Sequence, residues 1–300
     1  MTFVPQTEYG QIVAKKLRSQ LVANGLFAKK YVGDARAAAV MVPVTDEVTL
    51  GDYNKTSIGS NSVSYDGNAY INVNIDKDRF VSLYLDGFNM AAASYDEKAD
   101  ALDKVAYGVA KDMNTYAIGT LLKAAQGLDK AGNAYGSTDP RYQKTGTIKS
   151  NGTDDVYDTL LALAGALTDK GVPMEDRYIV VNGTGLSKIM GSNKTIRQGD
   201  MAQELVKKGF IAQIAGFNVK VTNLVTGNVT VGSGQSAASK AIWGVVGHPE
   251  YATDPVAFRA EPIFVDGNGD ANVVGGAFVK ARVAYSYDVT NPEAFGILAA

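Results

Sequence analysis

The residue types that most often carry out catalysis are scarce in this chain. It contains one histidine, His248, and no cysteine among its 300 residues. No thiolate nucleophile, disulfide bond or cysteine-ligated metal can form, and no site within one chain can use two imidazoles. A hydrolase would need His248 beside a serine and a carboxylate, but the sequence lacks the G-x-S-x-G turn that often presents the serine. The pattern favours a structural role for His248, and we expect no enzyme activity, metal or cofactor.

Two short segments have residues typical of binding loops. Asp266, Asn268 and Asp270 in DGNGDA match the start of a calcium loop, but the sixth position is not glycine and the twelfth is Ala277. The segment NGTGLSK (182–188) follows a predicted strand, where a phosphate-binding loop would lie, yet it has neither the G-x-G-x-x-G nor the P-loop spacing. We interpret both segments as turns.

Basic residues gather near the start of the chain, at Lys15, Lys16, Arg18, Lys29 and Lys30. They could face phosphate groups or form the solvated side of a helix, and the second interpretation needs no partner. The net charge of −2 argues against a dedicated nucleic-acid reader, because such domains carry a marked basic excess.

The composition is that of a folded chain, with 46% apolar and 20% charged residues. The opening MTFVPQTEYGQ lacks the basic and apolar regions of a signal peptide. No apolar stretch approaches the ~20 residues that span a bilayer. We therefore expect a soluble protein that is made in a cytoplasm and has no membrane partner.

The sequence of the first half of the chain predicts elements that must pack against other elements to be stable. Residues 8–24 have the period of a short amphipathic helix, and ARAAAVMVPV after them has no strong period. Residues 47–87 predict two strands joined by a long polar tip, a hairpin that buries little of itself. Ser94 and Glu97 form a capping box that opens a long helix over 95–126 with one apolar face.

The second half predicts an α/β unit followed by strands. A helix over 155–169 precedes the strand RYIVVNG, the helix DMAQELVKKG and the strands IAGFNVKVTNL and AIWGVVG. Gly216 is expected to form the tight turn that opens IAGFNVKVTNL. The tail predicts a hairpin that turns at DGNGD and a last strand in KARVAYSYDV.

Three segments resemble the major capsid proteins of tailed bacteriophages, whose fold is named after phage Hong Kong 97. GVPMEDRYIVVNG (171–183) is similar to their helix–proline–strand step, and GFIAQIAGFNVKVTNL (209–224) to their glycine, AGF and alternating strand. VKARVAYSYDVTNPEAFGILAA (279–300) is similar to their terminal strand, with a P-E-A turn at Pro292 and an apolar end. The order of elements matches over nearly the whole chain.

The resemblance implies an α+β fold of the Hong Kong 97 capsid type, with a long spine helix in a peripheral domain and an axial α/β domain. The implied parts are the N-arm (1–47), the extended-loop β-hairpin (48–86), the peripheral domain with the spine helix (87–150), the axial domain (151–248), the return strands of the peripheral domain (249–278) and the axial C-terminal strand (279–300).

The resemblance also implies a function. The chain would be a structural subunit of an icosahedral phage head, assembling in the host bacterial cytoplasm into pentamers and hexamers that enclose double-stranded DNA without sequence specificity. Implied partners are a separate scaffolding protein, a portal protein and a decoration protein. Two alternatives stay open: an encapsulin-like compartment that encloses protein cargo and, less favoured, a cytoplasmic α/β hydrolase using His248.

Roles for individual residues follow from the same resemblance. The residues expected to contact a neighbouring subunit through the extended loop are Tyr53, Lys55, Tyr65, Tyr70 and Arg79. The basic residues expected on the inner, DNA-facing surface are Lys15, Lys16, Arg18, Lys29 and Lys30. Gly216 and Pro292 are expected to form structural turns.

Overall fold

The computed structural model describes residues 18–28, 39–44, 53, 55–56, 69–87, 96–150, 154–192, 213–231, 238–266 and 275–300. The helices of these ranges are α1 (Glu97–Ala125), α2 (Val156–Asp169) and α3 (Gly183–Gly191). The strands are β1 (Ala39–Val44), β2 (Ala69–Asn74), β3 (Lys77–Asp86), β4 (Thr147–Ser150), β5 (Tyr178–Val181), β6 (Gln213–Ile214), β7 (Phe217–Val221), β8 (Asn228–Val231), β9 (Ala238–Gly247), β10 (Ala252–Thr253), β11 (Val256–Asp266), β12 (Gly276–Tyr285), β13 (Asp288–Val289) and β14 (Gly296–Ala299). Among these helices, none combines the length and apolarity needed to cross a membrane.

A mixed seven-stranded sheet forms the main body, in the order β4-β14-β9-β5-β7-β6 with β8 paired to β9. The pairs β4–β14 and β5–β7 are parallel, and the others are antiparallel. Every residue of β5 and of β14 is buried, so both faces of the sheet are covered at these strands. The large side chains of this core include Trp243, Phe295 and Leu163.

Helix α1 connects the main body to a second sheet. Its 29 residues extend roughly 44 Å at a rise of about 1.5 Å per residue. Its first half packs Val105 against Leu85 and Val279 of a three-stranded sheet, and its second half packs Leu121 into the main core. The predicted helix is confirmed, but Asp96 and not Ser94 caps it, because the Asp96 side chain accepts from the Ala99 N–H at 3.1 Å.

The three-stranded sheet has the order β11-β12-β3, and all its pairs are antiparallel. The pairing of β11 with β12 confirms the predicted hairpin, whose turn at DGNGD lies outside the described residues. Strand β3 was predicted as one arm of the long hairpin, but it pairs with β12. The partner of β2 is β1, from the ARAAAVMVPV segment assigned to the N-arm. We call the two-stranded β1–β2 sheet the ribbon.

Residues 18–28 form a strap, with a turn over 24–27, that joins α1 to the seven-stranded sheet. The Val22 and Ala23 N–H groups donate to Asn114 Oδ1 on α1, at 2.8 and 2.7 Å. Thr222 Oγ1, just after β7, donates to the Gln20 carbonyl at 2.7 Å. The helix predicted over 8–24 is therefore wrong for 18–24, because these backbone groups bond to distant elements instead of to one another. Residues 8–17 lie outside the described ranges.

The predicted α/β unit is largely confirmed. Helix α2 begins one residue after its predicted start, and the RYIVVNG and AIWGVVG segments form β5 and most of β9. The segment after Ile214 turns through Ala215 and Gly216, both with positive φ, into β7, as expected of Gly216. The helix predicted in DMAQELVKKG lies outside the described residues.

Candidate functional site

His248 has a local structural role. Its buried Nδ1 accepts from the Glu250 N–H at 3.2 Å and caps the 3-10 turn Pro249–Tyr251, and its ring lies 5.6 Å from that of Tyr251. Within the described ranges, no group of three histidine, aspartate or glutamate side chains could hold a metal ion. The geometry gives His248 no catalytic partner among the contacts it makes.

In the NGTGLSK segment, the space that a phosphate group would need is occupied by other atoms of the protein. Asn182 caps α3 by accepting from the Gly185 N–H at 2.9 Å, and its Nδ2 donates to the carbonyls of Val225 and Ile242, both at 3.2 Å. A Cβ on Gly185 would lie 2.6 Å from the Trp243 carbonyl oxygen. A phosphate group has no room here, and residues 183–188 are not a turn but the beginning of α3, which follows β5 directly.

The most unusual surface is the side of the three-stranded sheet that faces away from α1. Phe80 and Tyr84 of β3, Phe278 of β12 and Ile263 of β11 share this side by register, and we call them the aromatic face. The Phe80 side chain is 80% exposed, and a depression of about 630 Å³ lies between Phe80 and Ile263. Exposed apolar groups that share one surface are typical of contact sites.

Charged groups border the aromatic face. Arg282 Nε donates to Asp78 Oδ1 at 2.9 Å beside Phe80, and Lys280 Nζ lies 4.8 Å from the ring centroid of Phe278. The rings of Tyr84 and Phe278 are 5.4 Å apart. An apolar centre with a polar rim is the usual arrangement of a protein–protein interface.

The ribbon carries a second exposed apolar surface. Strand alternation buries Val42 and Ile71 on one side and turns Met41 and Tyr70 to the other, where they are 68% and 53% exposed. A two-stranded sheet has little stability on its own. The ribbon is thus an element whose outward side chains gain from contact with another surface.

The predicted extended-loop residues do not all lie on the ribbon. Tyr70 lies on β2, Tyr53 and Lys55 are exposed between the two ribbon strands in sequence, and Tyr65 lies outside the described residues. Arg79 was predicted in the loop, but it belongs to β3, where its Nε lies 3.4 Å from a carboxylate oxygen of Asp112 on α1. Arg79 thus lies on the three-stranded sheet and not on the ribbon, and its contact with a neighbouring subunit stays a prediction.

Of the predicted basic cluster, the structure describes Arg18. Lys15, Lys16, Lys29 and Lys30 lie outside the described residues. Arg18 forms an ion pair with Asp103 of α1, and its guanidinium lies 4.8 Å from the Tyr107 ring centroid. Arg18 therefore fastens the strap to α1.

Pro292 lies in a turn, as expected. It begins the 3-10 turn Pro292–Ala294, which Asn291 caps by accepting from the Glu293 N–H at 3.1 Å. This turn leads into β14, the buried strand of the main body.

A buried charge cluster escaped the sequence analysis. Arg141 donates from Nη1 to Asp288 Oδ1 at 2.7 Å and from Nη2 to Asp139 Oδ2 at 2.8 Å, and Tyr135 packs on the guanidinium. Burial raises the pKa of Asp288, although Arg141 opposes this. No local signal could reveal this cluster, because Arg141 and Asp288 are 147 positions apart.

Solved structures of phage particles share the fold of this chain. The capsid of cyanophage P-SCSP1u matches with a TM-score of 0.75 and 15% identity, over 98% of this chain and 92% of that chain. A structure from Mycobacterium phage Che8 matches with a TM-score of 0.72 and 15% identity, over 99% and 97%. The capsid of a native GTA particle matches with a TM-score of 0.64 and 12% identity, over 98% and 94%.

By sequence, no protein-family model and no curated protein matches the chain. The structural matches extend over nearly the full length of each chain, so the likeness concerns the whole fold and not one domain of it. The predicted α+β fold of the Hong Kong 97 capsid type is confirmed.

Proposed function

We propose that this chain is the major capsid protein of a phage head, a structural subunit that assembles into pentamers and hexamers and encloses double-stranded DNA. The observation that carries the proposal is the capsid fold, which extends over 98% of the chain. The role is structural, in the virion, and not enzymatic. The local cap made by His248 supports this, because an Nδ1 that accepts from the Glu250 N–H has no proton to donate to the carboxylate of a catalytic triad.

The ribbon and the aromatic face support self-assembly. They are different apolar surfaces of one chain, and contact between different surfaces of identical subunits builds rings and closed shells. In this proposal the ribbon of one subunit lies across the next subunit. Tyr53, Lys55 and Tyr70 then contribute to that contact, as would Tyr65.

The proposed parts of the subunit follow the sheets. The extended loop is the ribbon together with the residues between its strands. The peripheral domain contains α1 and the three-stranded sheet, and so takes β3 from the expected extended loop (48–86) and most of β12 from the expected axial C-terminal strand (279–300). The axial domain contains the seven-stranded sheet, and so takes β4 from the expected peripheral domain (87–150). The strap belongs to the N-arm and fastens the two domains together.

The proposed partners are a separate scaffolding protein, a portal protein, a decoration protein and the enclosed DNA. Assembly takes place in the host cytoplasm. The net charge of −2 supports a container that holds nucleic acid without binding it tightly. An encapsulin-like compartment is the remaining alternative, and it differs in what the particle encloses.

Sedimentation velocity of the expressed chain, with and without its scaffolding protein, tests the proposal, with micrographs of the fastest fraction. We expect shells of megadalton size or sheets of capsomers. Nuclease-protected DNA inside the shells supports a phage head, whereas enclosed protein supports the compartment. A small discrete oligomer under both conditions contradicts both.

A deletion within residues 54–69 refines this test by shortening the loop between Tyr53 and Tyr70. We expect the shortened subunit to fold, by circular dichroism, but to form no closed shells. Closed shells of normal stability would exclude the loop from the contact between subunits.

A further inference from the structure

One of the two chain segments that connect the ribbon to the rest of the molecule is a short joint. Residues Ile75 and Asp76 alone separate β2, which pairs with β1, from β3, which pairs with β12. Each residue of such a joint has two freely rotating backbone dihedrals. At this joint, the direction of the ribbon depends on contacts that fix the two residues.

The carboxylate of Asp76 makes those contacts. Tyr116 donates its hydroxyl to Oδ2 at 2.8 Å, Ser286 donates its hydroxyl to Oδ1 at 3.0 Å, and Lys130 donates Nζ to Oδ1 at 3.2 Å. Lys130 Nζ also donates to Ser286 Oγ at 2.8 Å and to the Asn74 carbonyl at the end of β2. We call Asp76, Tyr116, Lys130 and Ser286 the Asp76 anchor.

The three partners of Asp76 come from three separate parts of the body. Tyr116 lies on α1, Lys130 follows α1, and Ser286 lies between β12 and β13. Each is held independently of Asp76. The Tyr116 ring lies 6.0 Å from that of Tyr285, the Lys130 carbonyl accepts from Lys123 Nζ at 2.7 Å, and the Ser286 N–H donates to the Pro255 carbonyl at 3.0 Å.

The electrostatics favour an ionised Asp76. Partial burial opposes its charge, but the hydrogen bonds from Tyr116 and Ser286 and the charge of Lys130 hold its pKa below the usual value. Burial and the bond to Asp76 raise the pKa of Tyr116, so this hydroxyl stays a donor. Charge-assisted hydrogen bonds of this kind are stronger and more directional than neutral ones.

We infer that Asp76 is a positioning residue that holds the ribbon at one angle to the body before subunits meet. The ribbon is then presented ready for contact, and less conformational freedom is lost when it binds. The importance of this for shells rests on the proposed function. The fixed angle itself is a property of the isolated subunit.

The absence of cysteine from the sequence permits a direct test. Cysteines introduced at the exposed positions Asn72 on β2 and Lys111 on α1 would carry two spin labels, and pulsed electron paramagnetic resonance would measure the distance between them. We expect one narrow distribution in the otherwise unchanged subunit. Asp76→Asn should broaden it roughly twofold, because the charged acceptor of the anchor is lost.

Asp78→Asn is the matched control. Asp78 lies two residues away and also bonds a basic side chain, Arg282, but on the exposed side of the sheet. Its variant should keep the narrow distribution. A distribution for Asp76→Asn as narrow as that of Asp78→Asn would overturn the inference.

Lys130→Met provides a second variant that acts on the same anchor from the body side. It should broaden the distribution as Asp76→Asn does, and the double variant should add little, because both changes remove one network. Full additive broadening would show that the two residues act separately and would contradict the anchor. Circular dichroism verifies that each variant is folded.

Assembly provides a separate readout. If the parent subunit forms shells, Asp76→Asn should assemble about tenfold more slowly than Asp78→Asn, because an unfixed ribbon must be ordered on contact. Equal assembly rates would contradict the role of the anchor in assembly. If the parent forms no particles, the proposed function fails, whereas the distance measurement still decides whether Asp76 fixes the ribbon.

Discussion

The two largest sheets in the described part of the chain bury their apolar residues to different degrees. In the seven-stranded sheet, β5 and β14 are buried at every position. In the three-stranded sheet, only the side that faces α1 is buried, and the other side presents Phe80 at 80% exposure. The first sheet therefore completes its core within one chain. The second leaves apolar surface for another molecule to cover.

Under the proposed function, the buried residues of the seven-stranded sheet stabilise the chain, and the exposed apolar residues of the three-stranded sheet join one subunit to the next. Substitutions in the main body should lower the free energy of unfolding, and substitutions on the aromatic face should change association alone. Matched pairs of variants test this comparison, beginning with the largest expected loss of stability.

The largest loss is expected for Arg141→Met. The side chains of Arg141 and Asp288 are only 7% and 6% exposed, so the variant leaves a buried carboxylate without its partner. Removal of one member of a buried pair costs about 3–5 kcal/mol. Chemical denaturation at pH 7 measures this loss. Arg282→Met is the control, because Arg282 also pairs with an aspartate but is largely exposed, and no measurable loss is expected.

The loss in Arg141→Met should depend on pH. Burial already raises the pKa of Asp288, and loss of Arg141 raises it further. A carboxyl group whose pKa is higher in the folded than in the unfolded state binds its proton more tightly when the protein is folded, so protonation stabilises the fold. This stabilisation is fully present below the unfolded-state pKa of about 4 and is lost as the pH rises through the folded-state pKa. The deficit of the variant should therefore be smaller at pH 4 than at pH 7, and an equal deficit at both would contradict this account of Asp288.

A smaller loss is expected for Leu163→Ala on α2. Leu163 is fully buried in the main core, and its Cδ1 would lie 2.8 Å from a Cβ on Gly296 of β14. Truncation of a buried leucine costs about 2–5 kcal/mol. Leu161→Ala, two residues earlier on the same helix, is the control: Leu161 is 45% exposed, and we expect less than about 1 kcal/mol. Equal losses in the two variants would contradict the assigned core.

The elements of the main body are predicted from the sequence better than the pairing of the ribbon strands. Helix α2 and strand β5 follow from an apolar period and an apolar run bounded by Gly171 and Pro173, since both signals are local. The partner of β2 could not be predicted this way. AVMVPV and the polar residues after it give no local signal for register, and pairing across the chain decides it.

The residues predicted to contact a neighbouring subunit show the same limit. Tyr70 and Arg79 were both named from the resemblance, and no local signal told that Tyr70 lies on the ribbon and Arg79 on the three-stranded sheet, because pairing across the chain decides this. Phe80 was not singled out at all. The sequence of β3 alone does not show which of its two sides is buried. Phe80 is exposed because α1 packs on the opposite side of β3.

Phe80→Ser should have the smallest effect on stability and a large effect on assembly. Because the Phe80 side chain already contacts solvent over most of its surface, its removal should change the free energy of unfolding by less than about 1 kcal/mol. A central aromatic residue of an interface often accounts for much of its binding energy. Sedimentation velocity should therefore show intact subunits and few particles.

Met174→Ser is the control for this last comparison. Met174 is 70% exposed, comparable with Phe80, but it lies between α2 and β5, away from the three-stranded sheet. If both variants lose assembly equally, general surface apolarity drives association, and the aromatic face has no special part. If only Phe80→Ser loses it, the exposed side of the three-stranded sheet is the part of the core that a neighbouring subunit completes.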